Sequence, residues 1–128
     1  RISAAGLARI GQLLLRGGEG LLGQESVTTM IGPEWVFDGK NGDTEGGFWC
    51  AYGLAVQTLA DSPACESNDP FGDGVERSGH SGEAYGLRSG LWIDLRRGRG
   101  VAYFVTAVSD DAPKGRSGFT LVEERIAR

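Results

Sequence analysis

Residues 87–95 and 101–108 are two apolar, strand-like segments joined only by Arg96-Arg97-Gly98-Arg99-Gly100. So short a glycine-containing link predicts a β-hairpin, and a hairpin commits its neighbourhood to antiparallel pairing. The sheet then needs an apolar layer to cover it, and the chain supplies helices for that task. Ser3 is placed to cap a helix over residues 4–16, whose Leu7, Ile10 and Leu14 form an apolar stripe opposite Arg9, Gln12 and Arg16. Gly17-Gly18 ends it. A shorter helix is expected over residues 24–31, stopped by Gly32-Pro33. A terminal helix is expected over residues 117–127, with Phe119, Val122 and Ile126 toward the core and Thr120 with Glu123 as a capping box. Residues 48–59, apolar on both faces through Tyr52, Leu54 and Val56, read as a strand buried within the sheet. Stretches 32–47 and 61–74 carry loop chemistry. The fold class that follows is α+β, an antiparallel sheet with flanking helices. Its order is helix, helix, strand, a strand holding His80-Ser81-Gly82, strand, strand, helix.

Several function classes are excluded by bulk properties. The net charge is −4 and the 13 Lys and Arg residues are scattered among acids, whereas a nucleic-acid binder needs a concentrated basic surface. No apolar run approaches the roughly 18 residues of a membrane span. The two cysteines, Cys50 and Cys65, flank a Pro- and Asp-containing stretch. A disulfide between them would close a loop of roughly 15 residues; two buried thiols are the alternative. With one histidine and no Cys-x-x-Cys pair, neither a metal site nor a cofactor is expected. The chain opens on Arg1-Ile2-Ser3 directly into a helical pattern, as a processed or truncated product would. With 128 residues the chain is the size of one domain and long enough to bury a core.

His80-Ser81-Gly82, ahead of two apolar strands and a terminal helix, resembles the last conserved box of the penicillin-recognising serine hydrolases. These are the class C β-lactamases, DD-peptidases and related esterases, in which a Lys/His-x-Gly tripeptide lines one wall of the active site. The similarity extends to Leu14-Leu15-Arg16-Gly17-Gly18, to Glu25-Ser26-Val27-Thr28-Thr29-Met30, and to Tyr52-Gly53-Leu54, although Ala55 stands where a second glycine is usual. Gly86, Trp92-Ile93-Asp94, Arg99-Gly100-Val101 and Phe104-Val105 follow in the family's order. The resemblance implies that residues 1–128 are a single segment, the C-terminal part of a larger domain with a β-lactamase/transpeptidase-like fold. It also implies an acyl-enzyme hydrolase acting on an amide, β-lactam or ester carbonyl of a small molecule or peptide. The family's Ser-x-x-Lys and Tyr-x-Asn/Ser boxes do not occur, so they would lie on an upstream N-terminal segment, the expected partner.

Within that picture the tripeptide lies on an edge strand. The Glu83 backbone N–H belongs to the oxyanion hole and His80 supplies charge or a proton. Ser81 donates to the substrate, Gly82 lets the substrate approach the backbone, and Tyr85 borders the cleft. The implied location is periplasmic or secreted. The alternative is a non-catalytic remnant of the penicillin-recognising fold, or an extracellular binding or scaffold domain.

Other constellations have plainer explanations. Asp38, Asn41, Asp43 and Glu45 are oxygen-rich but lack EF-hand spacing, so a solvated loop forming a lip of the cleft is expected. Ser26, Ser81 and Ser117 lie in neither Gly-x-Ser-x-Gly nor Ser-x-x-Lys. Trp35, Trp49 and Trp92 read as core or rim packing. Arg96, Arg97 and Arg99 read as a solvated turn.

Overall fold

The hairpin expected from the sequence is the centre of a larger meander. The computed structural model describes residues 1–59, 65 and 68–128. Helix α1 (Ala4–Leu15) and α2 (Gln24–Ile31) precede strands β1 (Trp35–Val36), β2 (Ala51–Tyr52), β3 (Gln57–Leu59), β4 (Arg77–Ala84), β5 (Leu87–Asp94) and β6 (Arg99–Val105). Helix α3 (Leu121–Ala127) closes the chain. The six strands form one sheet in sequence order, and every neighbouring pair is antiparallel. Among the described residues no helix is long and apolar enough to cross a membrane.

Strand alternation gives the sheet two apolar faces. On one, Ile93 meets Leu14 of α1 and Val27 of α2, with Leu15, Met30 and Ile31 around them. On the other, Leu59, Trp92 and Tyr103 pack with Phe119, and Phe48, Phe71, Val101 and Val105 complete the cluster. Helix α1 comes close to the sheet at Gly11, where an added Cβ would lie 2.9 Å from Leu91 Cδ1. Contact at Gly11 and Leu14 turns the helix so that Ile10, expected in the buried stripe, is exposed. Ser3 caps α1 by accepting the Gly6 N–H at 3.1 Å.

Four boundaries depart from expectation. The strand expected over residues 101–108 is β6 and runs from Arg99 to Val105, so the link between the paired strands is shorter than expected. The single strand expected over residues 48–59 is two short strands, because the chain turns between them. Ala55 there has φ 58°, a left-handed conformation that favours glycine. The 32–47 loop contains the short strand β1. Helix α3 starts at Leu121 rather than at 117, since residues 117–120 form the turn that buries Phe119 and supplies the cap. The capping box is present: Glu123 Oε2 accepts from the Thr120 N–H and hydroxyl at 3.0 and 2.7 Å, and Thr120 Oγ1 accepts from the Glu123 N–H. The inward side of α3 carries Glu123 and Glu124, both buried, while Ile126 is exposed.

Cys50 and Cys65 form a disulfide, with Cα atoms 5.9 Å apart. Both residues are buried. The turn between β5 and β6 is ordered by buried Asp94, which accepts from the Arg97 N–H and guanidinium, both at 3.0 Å. Burial pushes the Asp94 carboxyl up, but these bonds and the Arg97 charge hold it below the ordinary aspartate range. The arginine cluster therefore has a partner within the fold and is more than a solvated turn.

Candidate functional site

Strand β4 decides where a ligand can meet backbone. It was expected at the sheet edge, yet β3 and β5 flank its first half. Arg77, Ser78 and Gly79 pair with Leu59, Thr58 and Gln57, and there β3 ends. From His80 to Ala84 the strand pairs with β5 alone among the described residues. The edge expectation thus needs correcting for 77–79 and describes only 80–84.

Register then gives the direction of each backbone group. Ala84 and Leu87 close a two-residue turn at Tyr85-Gly86, whose φ values of 50° and 75° are those of a tight hairpin turn with both central residues left-handed. Hydrogen-bonded pairs recur at every second residue from that turn, so Ala84 and Gly82 address β5. The N–H groups of Ser81 and Glu83 point to the open side.

A cleft of about 660 Å³ lies along that open side. Ser81, Gly82, Glu83 and Arg88 form its sheet wall, Phe48 and Trp49 one flank, and residues 116–120 the other. Glu45 and Gly46 stand at its lip, as expected for the acidic loop. Glu83 forms an ion pair with Arg88, its cross-strand neighbour. Gly82 lines the cleft, but a Cβ there would collide with Ser89 Oγ, so its smallness also serves the cross-strand fit. Tyr85, expected at the cleft border, stands fully exposed at the hairpin tip and is not among the lining residues.

His80 has both ring nitrogens occupied. Nδ1 lies within hydrogen-bond reach of the Ser81 carbonyl, and Nε2 is 2.6 Å from the Tyr52 hydroxyl. A carbonyl only accepts, so Nδ1 carries the hydrogen and, in the neutral ring, Nε2 accepts from Tyr52. The imidazole also meets Trp49, at 5.8 Å between ring centroids. A local Ser-His pair therefore has no free nitrogen to use. Ser117 is engaged as well: its Oγ and its N–H donate to Glu124 Oε1 at 2.6 and 2.8 Å. Burial pushes the Glu124 carboxyl up, but these bonds and the nearby Arg116 hold it below the usual range. Ser26 is exposed on α2.

The oxygens of the 38–45 loop are largely turned on the loop itself. Asp38 Oδ1 accepts from the N–H groups of Lys40 and Asn41, Asn41 Oδ1 accepts from the Asp38 N–H, and Asp43 Oδ1 accepts from the Glu45 N–H, all at 2.8–3.0 Å. Among the described residues no group of three His, Cys, Asp or Glu side chains converges as a metal site would require.

Sequence reasoning missed Arg88 and the Tyr52–His80 bond. The first had a signal: Tyr85-Gly86 as a two-residue turn places Glu83 opposite Arg88. The second had none, because Tyr52 and His80 lie 28 residues apart and meet only where β3 stops. Compared with family models, curated proteins and solved structures, the chain matches none of them.

Proposed function

We propose that this chain is the substrate-binding wall of a secreted or periplasmic serine hydrolase of the β-lactamase-like kind, acting on an amide, β-lactam or ester carbonyl. The supporting observation is the change in β4 after Gly79, which leaves the Ser81 and Glu83 N–H groups on the unpaired side of a strand whose residues line the cleft. An extended acyl group can add to such an edge as a further strand. In this reading the Glu83 N–H is one oxyanion donor, and the nucleophile with the second donor comes from an upstream segment bearing Ser-x-x-Lys. Ser81 and Gly82 flank the acyl group, and His80 fixes the Ser81 carbonyl so that the neighbouring N–H groups keep their direction.

The test is acylation of the protein as isolated from its source by a fluorescent penicillin, followed on a denaturing gel. A labelled serine is expected in the assembled protein. Replacing Glu83→Pro removes the N–H at an edge position where proline is tolerated, and should slow acylation ~10²-fold relative to Glu83→Ala. Both variants lose the Arg88 ion pair, so their ratio isolates the donor. Equal rates would remove Glu83 from the oxyanion hole. A second reading, a non-catalytic binding domain, is favoured by the occupied nitrogens of His80 and the paired charge of Glu83. Reversible binding of the penicillin with no covalent label would establish it.

A further inference from the structure

Beside the cleft lies a second, smaller opening of about 470 Å³, lined by Trp35, Glu45, Trp49, Tyr52 and His80. It is predominantly aromatic, and among the described residues no lysine or arginine lines it. The rings of Trp49, Tyr52 and His80 stand 5.7–5.8 Å apart at 51–82° to one another, which makes a corner of a box and not a stack. Trp35 supplies a further wall.

These walls are built in advance. The Trp35 Nε1–H donates to the Asn41 carbonyl at 3.3 Å, and a Cβ on Gly42 would lie 3.0 Å from Trp35 Cζ2, so the loop backbone lies against the indole. Asn41 Nδ2 donates to the Val36 carbonyl at 2.9 Å and fastens the loop to β1. The Trp49 N–H donates to the Thr44 carbonyl at 2.9 Å. Tyr52 is held through its hydroxyl to His80. Glu45 has φ 49°, a conformation that costs a non-glycine residue energy, and it is kept there by the bond from its N–H to Asp43. Its carboxylate has no ion pair or hydrogen bond among the described residues. The loop thus spends its polar groups on placing three things around one space: an indole at Trp35, a second indole at Trp49, and an uncompensated carboxylate.

Aromatic faces attract cations through the ring quadrupole, and a carboxylate at the rim adds a full opposite charge. We infer that this pocket binds a small free organic ammonium cation of the alkylated, choline-like kind, its head against Trp35, Trp49 and Tyr52 and its charge met by Glu45. An alkylated head suits the site because it needs no hydrogen-bond acceptor from the ring walls. A free cation fits better than a membrane headgroup, since Glu45 lines the opening, Asp38 and Asp43 lie in the same loop, and an anionic leaflet would be repelled by that charge. The two openings share Glu45, Trp49 and His80, but the inference does not depend on the hydrolase reading, because it needs no nucleophile and is read by binding alone.

The experiment is calorimetric titration of the full chain with choline and with its neutral isostere 3,3-dimethylbutan-1-ol. Choline is expected to bind ~10-fold more tightly than the isostere, and Glu45→Gln to lose roughly ten-fold in choline affinity with the isostere unaffected. Trp35→Ala should remove choline binding. If that variant fails to fold, the isostere comparison and Glu45→Gln still decide. Equal affinity for choline and isostere would overturn the inference, as would the absence of heat at roughly 20 mM choline, where even weak ligands are read. Sedimentation of the protein with phosphatidylcholine vesicles, without binding of free choline, would also overturn it in favour of a membrane site.

Discussion

Tyr103 shows how one side chain ties the sheet to its covering helix. Its hydroxyl donates to Glu123 Oε1 at 3.1 Å in a buried setting, and its ring lies over Gly90 on the neighbouring strand. Burial pushes the phenol up, and the adjacent Glu123 carboxylate and the bond to it push further the same way. The native protein therefore keeps this proton at a pH where an unfolded tyrosine, near ~10, loses it. The stabilisation is complete below that pH and is lost progressively as pH rises above it. Urea unfolding at pH 8 and at roughly pH 11 should show the native state weakening, and Tyr103→Phe should remove part of that slope. An identical slope in the variant would mean that other groups carry the alkaline transition. At this scale the sequence was legible where the interaction is local. Ser3, Thr120 and Glu123 were readable as caps because a cap and its target lie within one helical turn. Tyr52 with His80, and Tyr103 with Glu123, join residues far apart in the chain and were not.

Among the elements, β4 and β5 carry most of the consequence. Gly90 faces Tyr103 across the β5–β6 pair, and a Cβ there would sit 2.6–2.7 Å from the ring carbons Cε1 and Cζ and the hydroxyl Oη. Gly90→Ala should lower stability by about 1–3 kcal/mol, seen as an earlier urea midpoint, because the ring cannot stay over the strand. An unchanged midpoint would mean that Tyr103 has another rotamer available without cost. The hairpin of β5 and β6 was legible from two apolar runs and a short glycine-containing link, and α2 begins and ends where its sequence punctuation says. The division of residues 48–59 into β2 and β3 was not, since apolar composition on both faces does not reveal a turn that is taken at Gly53 and Ala55. That turn has a large effect: because β3 begins only at Gln57, opposite Gly79, residues 80–84 of β4 are left without a partner on that side, and residues 80–83 line the cleft.

On the scale of the whole molecule, the Cys50–Cys65 disulfide fastens the approach to β2 to the segment beyond β3. The bond closes a loop with a sequence separation of 15 residues. Its removal should cost about 3 kcal/mol, chiefly through the greater freedom of the unfolded chain. Paired urea curves for the oxidised protein and for Cys50→Ser/Cys65→Ser test this, and coincident midpoints would show that the bond is not a stabilising one. Since β2 carries Tyr52 and the preceding residues carry Trp49, the same variant should also loosen the aromatic pocket.

By itself the sequence determined the class of the fold, the antiparallel hairpin, the helix caps and the position of α2, because these depend on periodicity and on groups within a few residues of one another. It also marked 80–83 as a stretch of interest. Only the tertiary structure decided that β4 is internal in one half and open in the other, that Tyr85 stands away from the cleft, and that the acidic loop holds Trp35 and Glu45 around a pocket. Each of those outcomes depends on which segment ends beside which. That is a matter of register and packing between distant residues, which composition and periodicity do not encode.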